Sequence, residues 1–394
     1  MSKRIYTYRP YIPEKAIEYI KDVLESGCLA GTCYRYVKNF EQLLAKYLNI
    51  KHVVACSSGT TALQVCLRSI GICERCFVIV PGFTFIATAS TVLHNNAIPI
   101  FADIELETLG IDIEDVENIL RKYKNLNIKA LVAVHIGGIP VKIRELLKIC
   151  EEHNIKLVED CAQALGAEYD GKKVGTFGIV SAFSFYPTKT ITTGEGGAIA
   201  TNDDNIEKIA RLIISHGEDR KYHYVELGYN YRMSEINAAI GISQLENIEY
   251  YVETRRKFAE IFIKEVEKYV DDNLLRFQKY DKNSKPCWNL IQIIINFEKI
   301  RKSRDWFLNE LHNEGLKLFT VAYPEPLNKA PLFRKYFEYS NDLYRELIFR
   351  DLKNCEYVCK NIITMLVPPG LTEDDAYEIS ERFLKVLKKA YSNL

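Results

Sequence analysis

Residues 181–201, SAFSFYPTKTITTGEGGAIAT, decide how this chain is read. A strand-like run over 180–186 leads into Pro187 and then into a single cation, Lys189, among small and apolar neighbours. Six residues on stands a lone acid, Glu195, flanked by Gly194 and Gly196. An ammonium group in such a place is either a surface-loop charge or a group placed for chemistry. The neighbours are too small and apolar for a solvated face, and Gly194, Gly196 and Gly197 allow close backbone approach.

Working outward, short apolar runs at 53–55, 77–80, 98–102, 130–134 and 156–158 have the texture of interior strands. Amphipathic stretches at 60–69, 86–95, 113–123 and 141–153 lie between them. This alternation predicts a mostly parallel central sheet flanked by helices on both faces. Ligands in such sheets sit at the carboxyl ends of the strands. Two helical patterns, at 13–26 and 36–47, precede the sheet. After Thr201, DDNIEKIARLIISHG starts with acids and ends at Gly217, as a capped helix should. A longer helical pattern runs over 234–262. The strand signal NLIQIIINF and helices near 304–314 and 372–391 then describe a smaller α+β domain. The expected division is 1–250 for the N-terminal segment and large α/β domain and 251–394 for the smaller C-terminal domain.

The bulk composition narrows the function. The 394 residues carry 26% charged and 47% hydrophobic side chains, with 52 bases against 52 acids. Without net charge or a basic tract, nucleic-acid binding has no support. Eleven scattered cysteines, an odd number, suit reduced thiols in the cytoplasm better than a disulfide framework. Cys73 and Cys76 have metal-ligand spacing, but the next pair, Cys355 and Cys359, is spaced differently with no nearby histidine; no metal site is expected. Residues 76–102 lack a formal charge over a span that could cross a bilayer. Pro81-Gly82 interrupts the run, and its threonines and asparagines fit strand, turn, helix and strand instead. No membrane segment is expected.

Four features converge on one chemistry. In VVACSSGTTALQVCL a strand runs into Ser58-Gly59-Thr60-Thr61 and then a helix, where free amides and the helix dipole favour an anion. In KLVEDCAQALGA, Glu159 and Asp160 close a buried strand. Asp160 is either a helix cap or a buried carboxylate needing a cationic partner. PGFTFIAT offers Phe83 and Phe85 in a turn after a strand, as core or as a stacking surface. Lys189 completes the set. Pyridoxal phosphate asks for all four together: a phosphate cradle, a stacking aromatic, an acid for its ring nitrogen and a lysine for its aldehyde. Ser184 adds a hydroxyl for the phosphate. A desolvated amine beside a cationic ring has a lowered pKa and serves as a base near neutral pH.

The segments SSGTTAL, PGFTFIATAS, VEDCAQALGA, FSFYPTKTITTGEGGAIATND and GYNYRMSEINAAIGISQL resemble, in order and spacing, the DegT/DnrJ/EryC1/StrS family of sugar aminotransferases. The resemblance implies a fold-type I pyridoxal-phosphate-dependent transferase. It further implies a homodimer with shared active sites and pyridoxamine phosphate as the intermediate cofactor form. By position it assigns the phosphate to Gly59, Thr60 and Ser184, beside the Ser58 already read into the cradle, ring stacking to Phe85, the ring nitrogen to Asp160 and the Schiff base to Lys189. Gln163 falls beside the ring, and Asn230 reaches the partner subunit's cofactor phosphate. Family sugar dehydratases carry histidine where Lys189 stands, so the lysine favours transamination. The implied reaction moves an amino group from glutamate or glutamine to a keto sugar on a nucleotide diphosphate, for amino-sugar biosynthesis. A keto-cyclitol aminotransferase and a non-catalytic cofactor- or sugar-binding paralogue are the alternatives. Two departures bear on the substrate: Asn328 stands where the family commonly has histidine, and Trp288-Asn289 occupy a strand that frequently contains one.

Overall fold

The computed structural model describes residues 4–391. Its central sheet has seven strands, in the spatial order His52–Cys56, Gly197–Thr201, Val180–Ser184, Lys156–Asp160, Ile128–Val134, Phe77–Pro81 and Ile98–Ala102. From Val180–Ser184 outward all pairings are parallel, with Val158 beside Val180 and Val132 beside Val158. Gly197–Thr201 alone runs antiparallel to both its neighbours. Every residue of Phe77–Pro81, Ile98–Ala102 and Gly197–Thr201 is buried. Strands buried on both faces give continuous apolar runs rather than alternation, as in FVIVP and IPIFA.

The covering helices start where the sequence supplies caps. The Asp112 carboxylate accepts the amide of Glu114 (2.9 Å) ahead of Ile113–Lys122. Asp203 does the same for Asn205 (2.8 Å) ahead of Asp204–Ile214. The uncharged stretch resolves into Phe77–Pro81, the helix Ala87–His94 and Ile98–Ala102. Among the described residues no helix is long and apolar enough to cross a membrane.

A second, antiparallel sheet has the order Leu275–Phe277, Leu290–Ile295, Ile362–Leu366, Phe319–Thr320. Ile248–Glu267, Arg304–Asn313 and Glu373–Ala390 pack with it, and the Phe262 ring meets those of Phe277, Phe319 and Phe383 within its core. Helices Pro331–Phe337, Asp342–Ile348 and Lys353–Asn361, which carry no clear signal in the sequence, fold back onto the larger core. Phe333 meets Phe101 edge-on at 4.9 Å there, and Arg350 pairs with Asp115 at 2.6 Å. The N-terminal segment joins the second core: Tyr6 bridges to Leu316, and its hydroxyl donates to Asp375 (3.0 Å).

One helix expected over 234–262 is two, Glu235–Leu245 and Ile248–Glu267. At the joint, Asn247 leaves helical backbone angles (φ −117°, ψ 8°) and its side chain donates to the Ser243 carbonyl (3.0 Å). The Lys15 ammonium and the Tyr19 hydroxyl hold Glu246 from the first helix, Lys15–Ser26. These contacts stabilise the break although the residue pattern runs through it.

Candidate active site

A cavity of about 570 Å³ lies where the carboxyl ends of Ile128–Val134, Lys156–Asp160 and Val180–Ser184 face the second sheet. Eight of the nine expected site residues line it: Ser58, Gly59, Thr60, Phe85, Asp160, Gln163, Ser184 and Lys189. The ninth, Asn230, is exposed on a single bridge to Ser215 and lies outside its own chain's cavity.

Lys189 sits in a turn just past its strand, closed by its amide on the Tyr186 carbonyl (2.9 Å). The side chain reaches the cavity, yet enough protein surrounds it that burial holds its pKa below the ordinary 10.5. The Asp160 charge pulls the other way without reversing the shift. Asp160 is 4% exposed. Burial pushes its carboxyl above the usual range, opposed by the Ala162 amide (3.1 Å), the Thr88 hydroxyl (2.9 Å) and the Lys189 charge. The capping alternative for Asp160 falls, since the residues after it form a turn rather than a helix.

Strand alternation sends the neighbouring acid to the other face. Glu159 accepts the amides of Gly175 (2.7 Å), Phe177 (2.8 Å) and Gly178 (2.6 Å) and faces His135 Nε2 at 3.1 Å. Burial alone would raise its pKa, but His135 and these amides outweigh it and the carboxyl ends low. His135 Nδ1 accepts the Val141 amide (3.2 Å), which leaves the ring proton on Nε2 for Glu159. Two adjacent acids thus divide the work, with Glu159 tying down a loop and Asp160 facing the cavity.

The anion cradle is built from close packing. Helix Gly59–Ser69 starts from extended Ser58, whose hydroxyl accepts the Thr61 amide (3.1 Å). The Ser58 carbonyl takes the Ala62 amide (3.0 Å), leaving the amides of Gly59 and Thr60 to point outward at the positive end of the helix dipole. A Cβ on Gly59 would lie 2.6 Å from Ser184 Cβ, so only glycine lets this helix end meet the strand end that presents the Ser184 hydroxyl. Ser58 therefore caps the helix, while Gly59, Thr60 and Ser184 face the cavity.

The turn after Phe77–Pro81 separates its two aromatics. Phe83 is buried, edge-on to Tyr323 at 5.4 Å, whereas Phe85 is 58% exposed and lines the cavity. Gln163 accepts the Gly137 amide (2.7 Å) and donates to the Tyr323 hydroxyl (2.6 Å). Thr88, linked in turn to Thr84 (3.1 Å), and Tyr323 are site residues that sequence reasoning passed over. PGFTFIAT and AYPEPL contain them, but nothing local marks a threonine one helical turn away as the partner of a distant acid.

The departures at the C-terminal wall resolve differently from one another. Asn289 lines the cavity, 2% exposed, with Oδ1 lacking a protein partner. Trp288, at φ +49°, turns away to meet Tyr280 edge-on at 5.8 Å and lines a different cavity. Asn328 is buried off the cavity and donates to the Arg350 carbonyl (2.8 Å). Of these three, Asn289 alone faces the site.

The residues present fit pyridoxal phosphate. Outward amides and a hydroxyl suit its phosphate, an exposed ring suits stacking, and a buried acid and a buried amine face one space. The sequence profile of the DegT/DnrJ/EryC1/StrS aminotransferase family matches residues 10–384. The chain is 35% identical over 322 residues to the GDP-perosamine synthase of Vibrio cholerae, spanning 81% of this chain and 85% of that protein. It is 34% identical over 284 residues to the UDP-4-amino-4,6-dideoxy-N-acetyl-beta-L-altrosamine transaminase of Campylobacter jejuni, spanning 71% and 74%. PseC of Helicobacter pylori, an aminotransferase involved in the biosynthesis of pseudoaminic acid, superposes with a TM-score of 0.85 at 27% identity, over 98% of this chain and 100% of that one. The chain belongs to the DegT/DnrJ/EryC1/StrS aminotransferase family and is a pyridoxal-phosphate-dependent aminotransferase.

Proposed function

We propose that this enzyme moves an amino group from glutamate or glutamine to a keto sugar carried on a nucleoside diphosphate, for amino-sugar biosynthesis in the cytoplasm. The observation that carries the substrate class is the wall opposite Lys189. Asn289, Thr320, Tyr323 and Thr364 present amide and hydroxyl groups there, the chemistry that recognises a polyol. The Vibrio and Campylobacter relatives, named for GDP- and UDP-linked sugars, support the nucleotide. Among the described residues Lys189 is the one basic side chain in the cavity lining, beside the acids Asp160 and Glu195. A diphosphate must therefore find its countercharge outside this cavity, which supports a homodimer in which a second copy completes the site. Exposed Asn230, beside Arg232, belongs to the segment that does so.

Bound pyridoxal phosphate supplies an aldehyde that exchanges amines and an electron-withdrawing ring. The chain's own residues do the rest. Gly59, Thr60 and Ser184 would hold the phosphate, Phe85 would stack on the ring, and Asp160 would face the ring nitrogen and keep a proton on it. Lys189, whose pKa burial lowers, would hold the cofactor at its aldehyde carbon, and its freed Nζ would serve as base and acid at the substrate carbon.

The test is the visible spectrum of the holoenzyme with glutamate or glutamine, followed by keto-sugar nucleotides. A cofactor band that an amino donor removes and a keto-sugar nucleotide restores supports the proposal. Turnover that a nucleoside diphosphate fails to inhibit would move the substrate to a free keto-cyclitol. No band after adding pyridoxal phosphate would mean that Lys189 has been misassigned.

A further inference from the structure

We propose that Arg255 is a positioning residue for Lys189. It lies on the helix Ile248–Glu267, is 1% exposed, and forms no ion pair with any carboxylate of the described residues. Instead its guanidinium donates to three main-chain carbonyls. Nη2 reaches Lys189 O (3.3 Å), Nη1 reaches Thr190 O (3.1 Å) and Nε reaches Val367 O (2.8 Å). The Tyr8 side chain lies against the same guanidinium, and its hydroxyl donates to the Pro187 carbonyl (2.7 Å). The turn that carries Lys189 is therefore held at Pro187, Lys189 and Thr190 by two side chains from distant parts of the chain.

A buried cation without an acid is a costly way to pack a helix, and an apolar side chain of similar volume generally does that job at least as well. What the planar fork adds is direction, because its donors are fixed relative to one another. Holding two successive carbonyls fixes the peptide plane after Lys189 and so the vector from which its long side chain starts. The third carbonyl, of Val367, directly follows Ile362–Leu366, whose Thr364 and Leu366 form the opposite cavity wall. One guanidinium thus sets the separation between the lysine and the wall where substrate is expected. Misplacing a reacting group by about 1 Å costs roughly 100-fold in rate.

Arg256, the next residue, supplies the control. It is 5% exposed, pairs with Glu253 (2.5 Å) and donates to the carbonyls of Pro286 (2.7 Å) and Gly166 (3.1 Å), none of which lines the cavity. A general packing role predicts similar consequences for both arginines; a positioning role separates them.

The inference rests on Lys189 as the cofactor-bearing lysine. It is tested on holoenzyme carrying Arg255→Lys, Arg256→Lys or Tyr8→Phe. Readouts are cofactor occupancy, melting temperature, the pH midpoint of the visible cofactor band and the single-turnover rate with L-glutamate. Arg255→Lys is expected to keep full occupancy, shift the band's pH midpoint and slow the single turnover by about 10- to 100-fold. Arg256→Lys is expected to lower the melting temperature without moving midpoint or rate. Tyr8→Phe, the milder change, is expected to move the midpoint in the same direction and carries the test should Arg255→Lys not fold. Unchanged midpoint and rate in a folded, fully loaded Arg255→Lys would overturn the proposal, as would equal effects from Arg256→Lys. Failure of the cofactor assignment is seen separately, because Lys189→Ala would then keep its visible band.

Discussion

Gly59→Ala tests the cradle most directly. The added Cβ meets Ser184 Cβ at 2.6 Å and its Oγ at 3.0 Å, against the 3.5–4.0 Å at which carbon atoms rest, so helix end and strand end must part by about 1 Å. Overpacking of this kind costs about 1–3 kcal/mol. Alanine returns about 1 kcal/mol of helix propensity, so the apo-protein should melt near the parent or a few degrees below. Cofactor binding has no such compensation. A hydrogen bond to a charged group contributes about 1.5–3 kcal/mol, so losing one phosphate contact weakens binding by roughly 10- to 100-fold. The assay is titration of apo-protein with pyridoxal phosphate, read by visible absorbance. In Gly59→Ala/Ser184→Gly both contacted side-chain atoms are gone, but so is the Ser184 hydroxyl, so stability should return to the parent's while affinity stays at or below that of the single variant. Unchanged affinity in the single variant would refute the reasoning, as would a double variant that binds as tightly as the parent.

Two further outcomes follow from the buried charges. Folded Lys189 has its pKa below the 10.5 of an exposed lysine, so between those values the unfolded chain binds more protons and apo-protein stability rises with pH. Denaturant unfolding across that window should show the slope in the parent and a flatter one in Lys189→Met; equal slopes would sink the assignment. Asp160→Asn keeps the shape but removes the charge beside the ring nitrogen, and turnover should fall by about 10²- to 10³-fold with the cofactor retained. Thr88→Val, which strips one hydrogen bond from the same buried carboxylate, should lower turnover less severely, and an activity order reversed between the two would argue against the role given to Asp160.

Much of the site was legible because the chemistry clusters at strand ends, where a few consecutive residues carry it. Ser58 to Thr60, Asp160, Ser184 and Lys189 each follow an apolar run that places them at the sheet's carboxyl edge. Direction was not legible. Gly197–Thr201 is buried throughout, and a strand with no polar face has nothing in its sequence to distinguish parallel from antiparallel. Partnerships across the chain were equally hidden: Thr88 meets Asp160 from 72 residues away, and Arg255 meets Lys189 from 66. The family resemblance pointed to Trp288, Asn289 and Asn328 together. Backbone geometry divided them, since the positive φ at Trp288 turns that ring into the second core and leaves Asn289 facing the cavity.

The N-terminal segment has a consequence for synthesis. Tyr6 contacts Asp375 across 369 residues of chain, and Tyr8 contacts Pro187 across 179. Residues around Tyr6 therefore wait for the much later synthesis of those around Asp375 before their packing is complete. Closure across so long a loop is slow to form. Until then the apolar surface of the second core that Tyr6 covers stays open to association with other chains. A nascent chain stalled before Asp375 can complete its parallel sheet and still lack the contact that secures Tyr6.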